Sequence, residues 1–359
     1  MGEFDLIERF FKRPTPQTDS AHAANAPPGV GIGDDCAVLP IRPHTQLAVS
    51  SDMLVEGTHF FPNTDPRRLG HKALAVNLSD LAACGARPLA FTLALSLPEV
   101  NEHWLSEFSA GLFALADAHN CPLIGGDTTR GPLNLSITVL GEVDVAHGQT
   151  QALLRSGAQV GDDIYVSGQL GDARWALMVL QGQLKLPQAL SEPHHGSPTQ
   201  DSPLFAAAQL RLEQPTPRVA LGLALRGIAH AAIDVSDGLV GDLHHLLQAS
   251  SAHLKTPEPL GASLNTEAAL GLMAAAHYLP KDLVLRCVLS GGDDYELLFT
   301  APPSARAAVQ TTALASHTPV TRIGTLEATP GLRLLDAHGR ELGGADKYKS
   351  FDHFSSQLA

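Results

Sequence analysis

Two domains, each combining helices with a sheet, are what three features of the sequence predict. The chain has 359 residues, more than one hydrophobic core commonly organises. Apolar runs of strand length alternate with helical periodicities in both halves. A polar, glycine-containing stretch at 146–152 separates them, which sets the domains at 1–148 and 149–359.

Residues 3–13 open with a helical stripe of Phe4, Ile7, Phe10 and Phe11. The segment 14–28 is rich in Pro, Ala, Thr and Asn and lacks periodicity, so it reads as a mobile run delivering the turn Gly29-Val-Gly-Ile-Gly-Asp-Asp-Cys-Ala-Val-Leu39. A strand at 46–51 leads to Asp52. Pro66 then starts a helix that runs to about Cys84 and stops at Gly85. An apolar strand at 89–97 precedes a helix at 100–120 whose face carries Trp104, Phe108, Leu112 and Leu115. Strands at 121–126 and 133–143 follow, and the helices can all lie on one sheet face. The strands 89–97 and 133–143 carry apolar residues at successive positions, more than a one-sided sheet needs, so the other face is expected to meet a partner chain in a homodimer.

In the second half, 155–168 is a turn into a strand, with Asp162 and Asp163 read as turn chemistry. The stretch 183–217 holds six prolines and reads as an exposed insertion broken by one short helix. A helix at 218–230, a strand at 231–235 and a helix at 238–250, capped by Ser236 or Asp237, come next. The remainder reads as a helix at 265–277, an apolar run ending in Gly291-Gly-Asp-Asp, a strand, a helix at 303–316, strands at 320–325 and 332–335, and an aromatic tail.

A net charge of −13 argues against a nucleic-acid surface. Cys36, Cys84, Cys121 and Cys287 have neither Cys-x-x-Cys nor zinc spacing and look like small core residues in a reducing compartment. No run reaches ~18 apolar residues and the N-terminus has no apolar signal core, so a cytoplasmic protein without a membrane partner is expected.

Short apolar runs repeatedly end in a small residue and an aspartate: Leu47-Ala-Val-Ser-Ser-Asp52, Leu123-Ile-Gly-Gly-Asp127, Ile233-Asp-Val-Ser-Asp-Gly238 and Val288-Leu-Ser-Gly-Gly-Asp-Asp-Tyr-Glu296. Each reads as a strand end opening into a turn. Asp80 sits in an apolar helical pattern, where an ionised carboxylate needs a partner, and Asn77 three residues earlier can face the same ligand. Alone, the Asp34-Asp35 turn is ordinary solvated chemistry. Repeated, the pattern points to aspartates gathered around Mg²⁺, which prefers oxygen ligands and shares them with substrate phosphates. His59, close to Asp52 in sequence, is a candidate phosphate contact. There is no P-loop and no protein-kinase motif set. Gly29-Val-Gly-Ile-Gly33 lacks the context of a dinucleotide fingerprint. Phosphates held through Mg²⁺, with no covalent nucleophile on the protein, fit this inventory.

Five motifs, Gly31-Ile-Gly-Asp-Asp-Cys-Ala, Asn77-Leu-Ser-Asp-Leu-Ala-Ala, Gly125-Gly-Asp-Thr-Thr-Arg-Gly, Ile233-Asp-Val-Ser-Asp-Gly-Leu and Ser290-Gly-Gly-Asp-Asp-Tyr-Glu-Leu, resemble those of the thiamine-monophosphate kinase family. That family lies in the superfamily of aminoimidazole ribonucleotide synthetase and selenophosphate synthetase. The resemblance runs over residues 2–354, interrupted at 14–28 and 183–203. It implies a two-domain α+β, PurM-like fold, with an N-terminal sheet-with-helices domain that binds ATP and metal and dimerises. It implies ATP-dependent phosphorylation of thiamine phosphate to thiamine diphosphate, the last step in making that product, by direct in-line transfer with several Mg²⁺ ions. Position by position, Asp35, Ser50, Ser51, Asp52, Asp80, Asp127, Asp234 and Asp237 would hold Mg²⁺. Gly126, Asp127, Arg155 and Ser236 would contact ATP, and His59, Asp293 and Phe351 would hold thiamine phosphate. Asp34 would stand behind Asp35. Relatives often have Glu in place of Asp293 and Tyr in place of Phe351, departures that bear on substrate affinity more than on reaction class. Phe351 also has a plainer reading, as a tail aromatic anchoring the C-terminus. The rival readings are a superfamily relative that makes an acyl or imidate phosphate, whose nucleophile or amide-handling motif is not found, and an acidic metal-binding scaffold.

Overall fold

The computed structural model describes residues 2–13, 31–33, 35–191, 202–255 and 258–350. The segment 14–28, Asp34 and Phe351 therefore lie outside the described residues. The chain divides into two compact units, Met1–Leu81 with Ala86–Ala152, and Ala82–Gly85 with Leu153–Ala359.

In the first unit, α1 (Glu3–Leu6) runs into a π-helical turn at Ile7–Phe11. The sheet is built from β1 (Thr45–Val55), β2 (Arg87–Leu97), β3 (Leu123–Arg130), β4 (Asn134–Ala146) and β5 (Gln149–Thr150), with helices α2 (Pro66–Ala83) and α3 (Glu102–Ala118). The strand order is β1-β4-β2-β3, with β5 on β4. Only the β2–β3 pair is parallel, as a connection through α3 requires. Alternation does the sorting: Leu135, Ile137 and Val139 of β4 and Leu93, Leu95 and Leu97 of β2 are buried, as are Leu105, Phe108, Leu112 and Leu115 of α3. The aromatic face expected on α3 is a core face, with Trp104 stacked on Phe108 at 4.9 Å and Phe11 edge-on to it at 6.5 Å. The unit's own core thus takes up the apolar residues that suggested a second buried face on β2 and β4. Uncovered apolar surface lies instead on β1, where Leu47, Val49 and Met53 are 43%, 58% and 57% exposed.

The second unit carries strands β6 (Asp163–Ser167), β7 (Ala231–Val235), β8 (Gly261–Asn265), β9 (Glu296–Ala301), β10 (Val320–Glu327), β11 (Gly331–Leu335) and β12 (Glu341–Leu342). Its helices are α4 (Asp172–Leu180), α5 (Gln188–Ser191), α6 (Pro203–Glu213), α7 (Val219–Ala224), α8 (Leu239–Leu254), α9 (Thr266–Leu270), α10 (Lys281–Ser290) and α11 (Arg306–Ala315). The sheet order is β12-β11-β8-β10-β6-β9-β7, and only β8 and β11 pair in parallel. A single apolar core joins Trp175, Phe205, Leu246 and Val288, with Phe205 edge-on to Trp175 at 5.5 Å.

Five expectations need correction here, the simplest being Cys36, which is exposed where a core residue is expected, while Cys121 and Cys287 are buried. The apolar run before Gly291 is the end of helix α10, not a strand: Val284, Cys287 and Val288 are buried at helical spacing. The insertion, expected to be exposed with one short helix, carries α5 and α6 among its described residues, and α6 packs inward, burying Phe205, Ala208 and Leu212. The stretch expected as one helix at 265–277 is α9 followed by a 3-10 turn at Ala274–Tyr278, and β8 lies immediately before it, where the sequence reads as loop. Asp163, expected as turn chemistry, is a buried structural acid, whereas Asp162 does serve the turn, accepting from the Gln159 N–H at 2.9 Å. Asp163 accepts from Arg306 at 2.6 Å and from Arg322 at 3.0 Å, and Asp162 pairs with His230 at 2.9 Å.

Candidate functional site

In the first unit the site is assembled where β1 passes α2. The Ser50 hydroxyl donates to Asp80 Oδ2 at 2.5 Å, and the Asp52 main-chain N–H donates to Asn77 Oδ1 at 3.1 Å. Asn77 is in turn fixed by donating to the Ala73 carbonyl at 3.0 Å. Residues 77 and 80 of α2 therefore meet residues 50 and 52 of β1, the two spacings that put each pair on one face. Ser51 points elsewhere: its hydroxyl lies 3.1 Å from the Ile137 carbonyl and 3.0 Å from Thr138 Oγ1. His59 Nδ1 accepts from the Val55 N–H at 3.0 Å, which assigns the neutral ring's proton to Nε2.

Asp127 lies on β3, opposite Ala94 of β2, and β3 and β1 stand at opposite ends of the strand order. Three strand spacings separate the backbones of β3 and β1, about 14 Å measured along the sheet. Gly126 precedes it at φ +150°, and a Cβ there would stand 1.8 Å from the Leu93 carbonyl oxygen, so close strand packing alone demands glycine. Asp35 occupies an exposed bend.

The second unit staples two motif turns together. Asp293 N–H donates to the Ser236 carbonyl and Tyr295 N–H to the Val235 carbonyl, both at 2.9 Å. Gly292 lies so close that a Cβ would sit 2.4 Å from the Ser236 oxygen. Asp293 (φ +67°) and Tyr295 (φ +51°) adopt left-handed backbone, each at a cost of about 1–3 kcal/mol that only surrounding contacts sustain. Asp234 is buried within β7. Arg155 is exposed, and its carbonyl accepts from Ser250, twelve residues or about 18 Å along α8 from Gly238.

Every side chain gathered at β1 and α2 offers oxygen, the donor type of a hard divalent cation. Among the described residues no three His, Cys, Asp or Glu form a closed cage. Mg²⁺ does not require one, because it keeps waters and uses one or two carboxylates with substrate phosphates. The residues present fit it.

The family model of the AIR synthase related protein, N-terminal domain, matches residues 33–143. The thiamine-monophosphate kinase of Salmonella typhimurium is 42% identical over 356 residues, covering 99% of each chain. The chain belongs to the thiamine-monophosphate kinase family. Among solved structures, the family member from Stenotrophomonas maltophilia K279a is 47% identical, with a TM-score of 0.73 over 85% of this chain and 90% of its own. AaThiL complexed with AMPPCP and TMP is 27% identical, with a TM-score of 0.67 over 88% and 90%.

Within this family member, several residues that shape the site carry no local signal in the sequence for the partners they take. Asp242 accepts from the Asp237 and Gly238 N–H groups at 3.3 and 3.2 Å, so the helix start is capped from inside α8 and not by Ser236 or Asp237. Burial, and then the charge of Asp237, pushes its carboxyl up to about 7. Glu296 accepts from Ser167, Arg218 and Arg211, and buried Asp294 accepts from the Gly171 N–H at 2.9 Å. The sequence signal for these was present as acids inside apolar strands and helix turns, but their partners lie far away along the chain.

Proposed function

We propose that this kinase transfers the terminal phosphoryl group of ATP directly onto the phosphate of thiamine phosphate, giving thiamine diphosphate and ADP. The bridging P–O bond to the γ-phosphorus breaks as a new one forms to a substrate phosphate oxygen in line with it, and no protein group is phosphorylated. The observation that carries this reading is the hydrogen-bonded Ser50–Asp80 pair beside Asp52, an all-oxygen donor set. It stands in a chain 42% identical to a thiamine-monophosphate kinase.

Asp35, Ser50, Asp52, Asp80 and Asp127 of the first unit, and Asp234 and Asp237 of the second, are assigned to Mg²⁺, which when bound neutralises phosphate charge and orients the oxygens, whereas the Ser51 hydroxyl, engaged with the Ile137 carbonyl and Thr138, is left out of the set. Ser50 holds Asp80 in one orientation, and Asn77 fixes the main chain at Asp52. His59 presents Nε2–H to the substrate phosphate. Gly126, Asp127, Arg155 and Ser236 are assigned to ATP, and Asp293 with Phe351 to the cationic thiamine moiety, which a carboxylate and an aromatic face suit. With ATP and Mg²⁺, the protein is expected to consume thiamine phosphate and leave a phosphoribosyl amidine untouched, losing turnover in EDTA and regaining it with Mg²⁺. Turnover of the amidine would move the chain to another branch of the superfamily.

The reading includes a homodimer joined through the first unit's sheet, supported by the exposed Leu47, Val49 and Met53 on β1. Light scattering at micromolar concentration is expected to give twice the 37.8 kDa chain mass, and a monomer mass would rule the dimer out. No described helix is long and apolar enough to cross a membrane, in keeping with a cytoplasmic enzyme.

A further inference from the structure

The turn that carries Asp293 is strained at two residues, and the contacts that hold it come from behind. Asp294 and Glu296 point inward from it. Glu296 accepts from Ser167 Oγ at 2.6 Å and from Arg218 at 2.7 and 2.6 Å. Arg211, on α6, reaches the same assembly from another direction. Its Nη2 donates to the Gln169 carbonyl at 2.7 Å and to Glu296 Oε1 at 3.1 Å, and lies 4.0 Å from Asp294 Oδ1. One guanidinium nitrogen thus spans the 167–171 loop and both acids of the turn.

Arg218 alone already gives Glu296 a bidentate partner, so Arg211 is not needed to neutralise it. Among the described residues, Arg211 Nε and Asp294 Oδ1 are both buried without a hydrogen-bond partner. Leaving two such groups unpaired is costly, which is a poor arrangement for stability and an understandable one for a clamp that sets a backbone position.

We propose that Arg211 is a positioning residue for Asp293, holding the Asp293–Glu296 turn at the height from which Asp293 meets the cationic part of thiamine phosphate. This rests on the assignment of Asp293 to that substrate. It also gives the insertion a role, because α6 is the packed helix within it and Arg211 is the residue α6 delivers.

The test is a double-mutant cycle in steady-state kinetics, using Arg211→Gln, Asp293→Ala and the pair in the full-length protein. Arg211→Gln leaves the Arg218–Glu296 pair in place. It is expected to raise KM for thiamine phosphate about ten-fold, the loss of one charge-assisted hydrogen bond, with KM for ATP changed less than about two-fold. In the Asp293→Ala background it should add nothing further. Arg211→Lys, which keeps the charge but not the fork, should fall between, and the cycle is run with it if the Gln variant does not fold. Additive effects, or equal rises in both KM values, would overturn the clamp while leaving Asp293 assigned. An Asp293→Ala variant with unchanged KM for thiamine phosphate would overturn the assignment of Asp293, and the clamp with it.

Discussion

Asp80→Asn is expected to abolish turnover while leaving the fold intact. The substitution keeps an oxygen that can accept the Ser50 hydroxyl, now 2.5 Å from Oδ2, and keeps the length of the side chain on α2. What it removes is the negative charge. If Asp80 acts through a divalent cation, that charge is the functional part, and its loss costs on the order of 10³-fold in kcat. A merely structural Asp80 would tolerate the amide, since its hydrogen bond survives. Near-normal activity at saturating Mg²⁺, with an unchanged circular dichroism spectrum, would remove Asp80 from the metal site.

Glu296→Ala is expected to have the largest effect on stability. The carboxylate is 1% exposed, and the side chains of Arg218 and Arg211 beside it are only 15% and 23% exposed. Removing the acid leaves two guanidinium groups in a poorly solvated place and strips Ser167 of its acceptor, at a cost of about 3–5 kcal/mol. For a unit of this size, that lowers the melting temperature by roughly 6–20 °C. Thermal denaturation checks it, and a drop of less than about 2 °C would mean the arginines find other partners.

These two residues also mark what could be read from the sequence and what could not. Asp80 could be found because local periodicity places it: an acid in an apolar helix, three residues after Asn77, declares a partner. The turn at Gly291–Glu296 could be found as a motif, yet the strand expected before it proved to be α10. An apolar run of that length does not distinguish a buried helix from a buried strand. The roles of Glu296, Asp294 and Arg211 could not be found, because Arg211 and Glu296 are separated by 85 residues and no local pattern encodes such a pairing. Asp163 reads locally as turn chemistry for the same reason, its arginines lying far along the chain. Asp242 was hidden by the stronger local signal of Ser236 and Asp237, which looked sufficient to cap α8.

Direct transfer to the substrate's phosphate is the central claim, and following the terminal phosphate of ATP tests it most directly. With ATP labelled at the γ-phosphorus, thiamine phosphate and Mg²⁺, the label is expected in the terminal phosphate of thiamine diphosphate, one per ADP formed, with none on the protein. Label recovered as free phosphate, or bound to the protein after a single turnover, would contradict it.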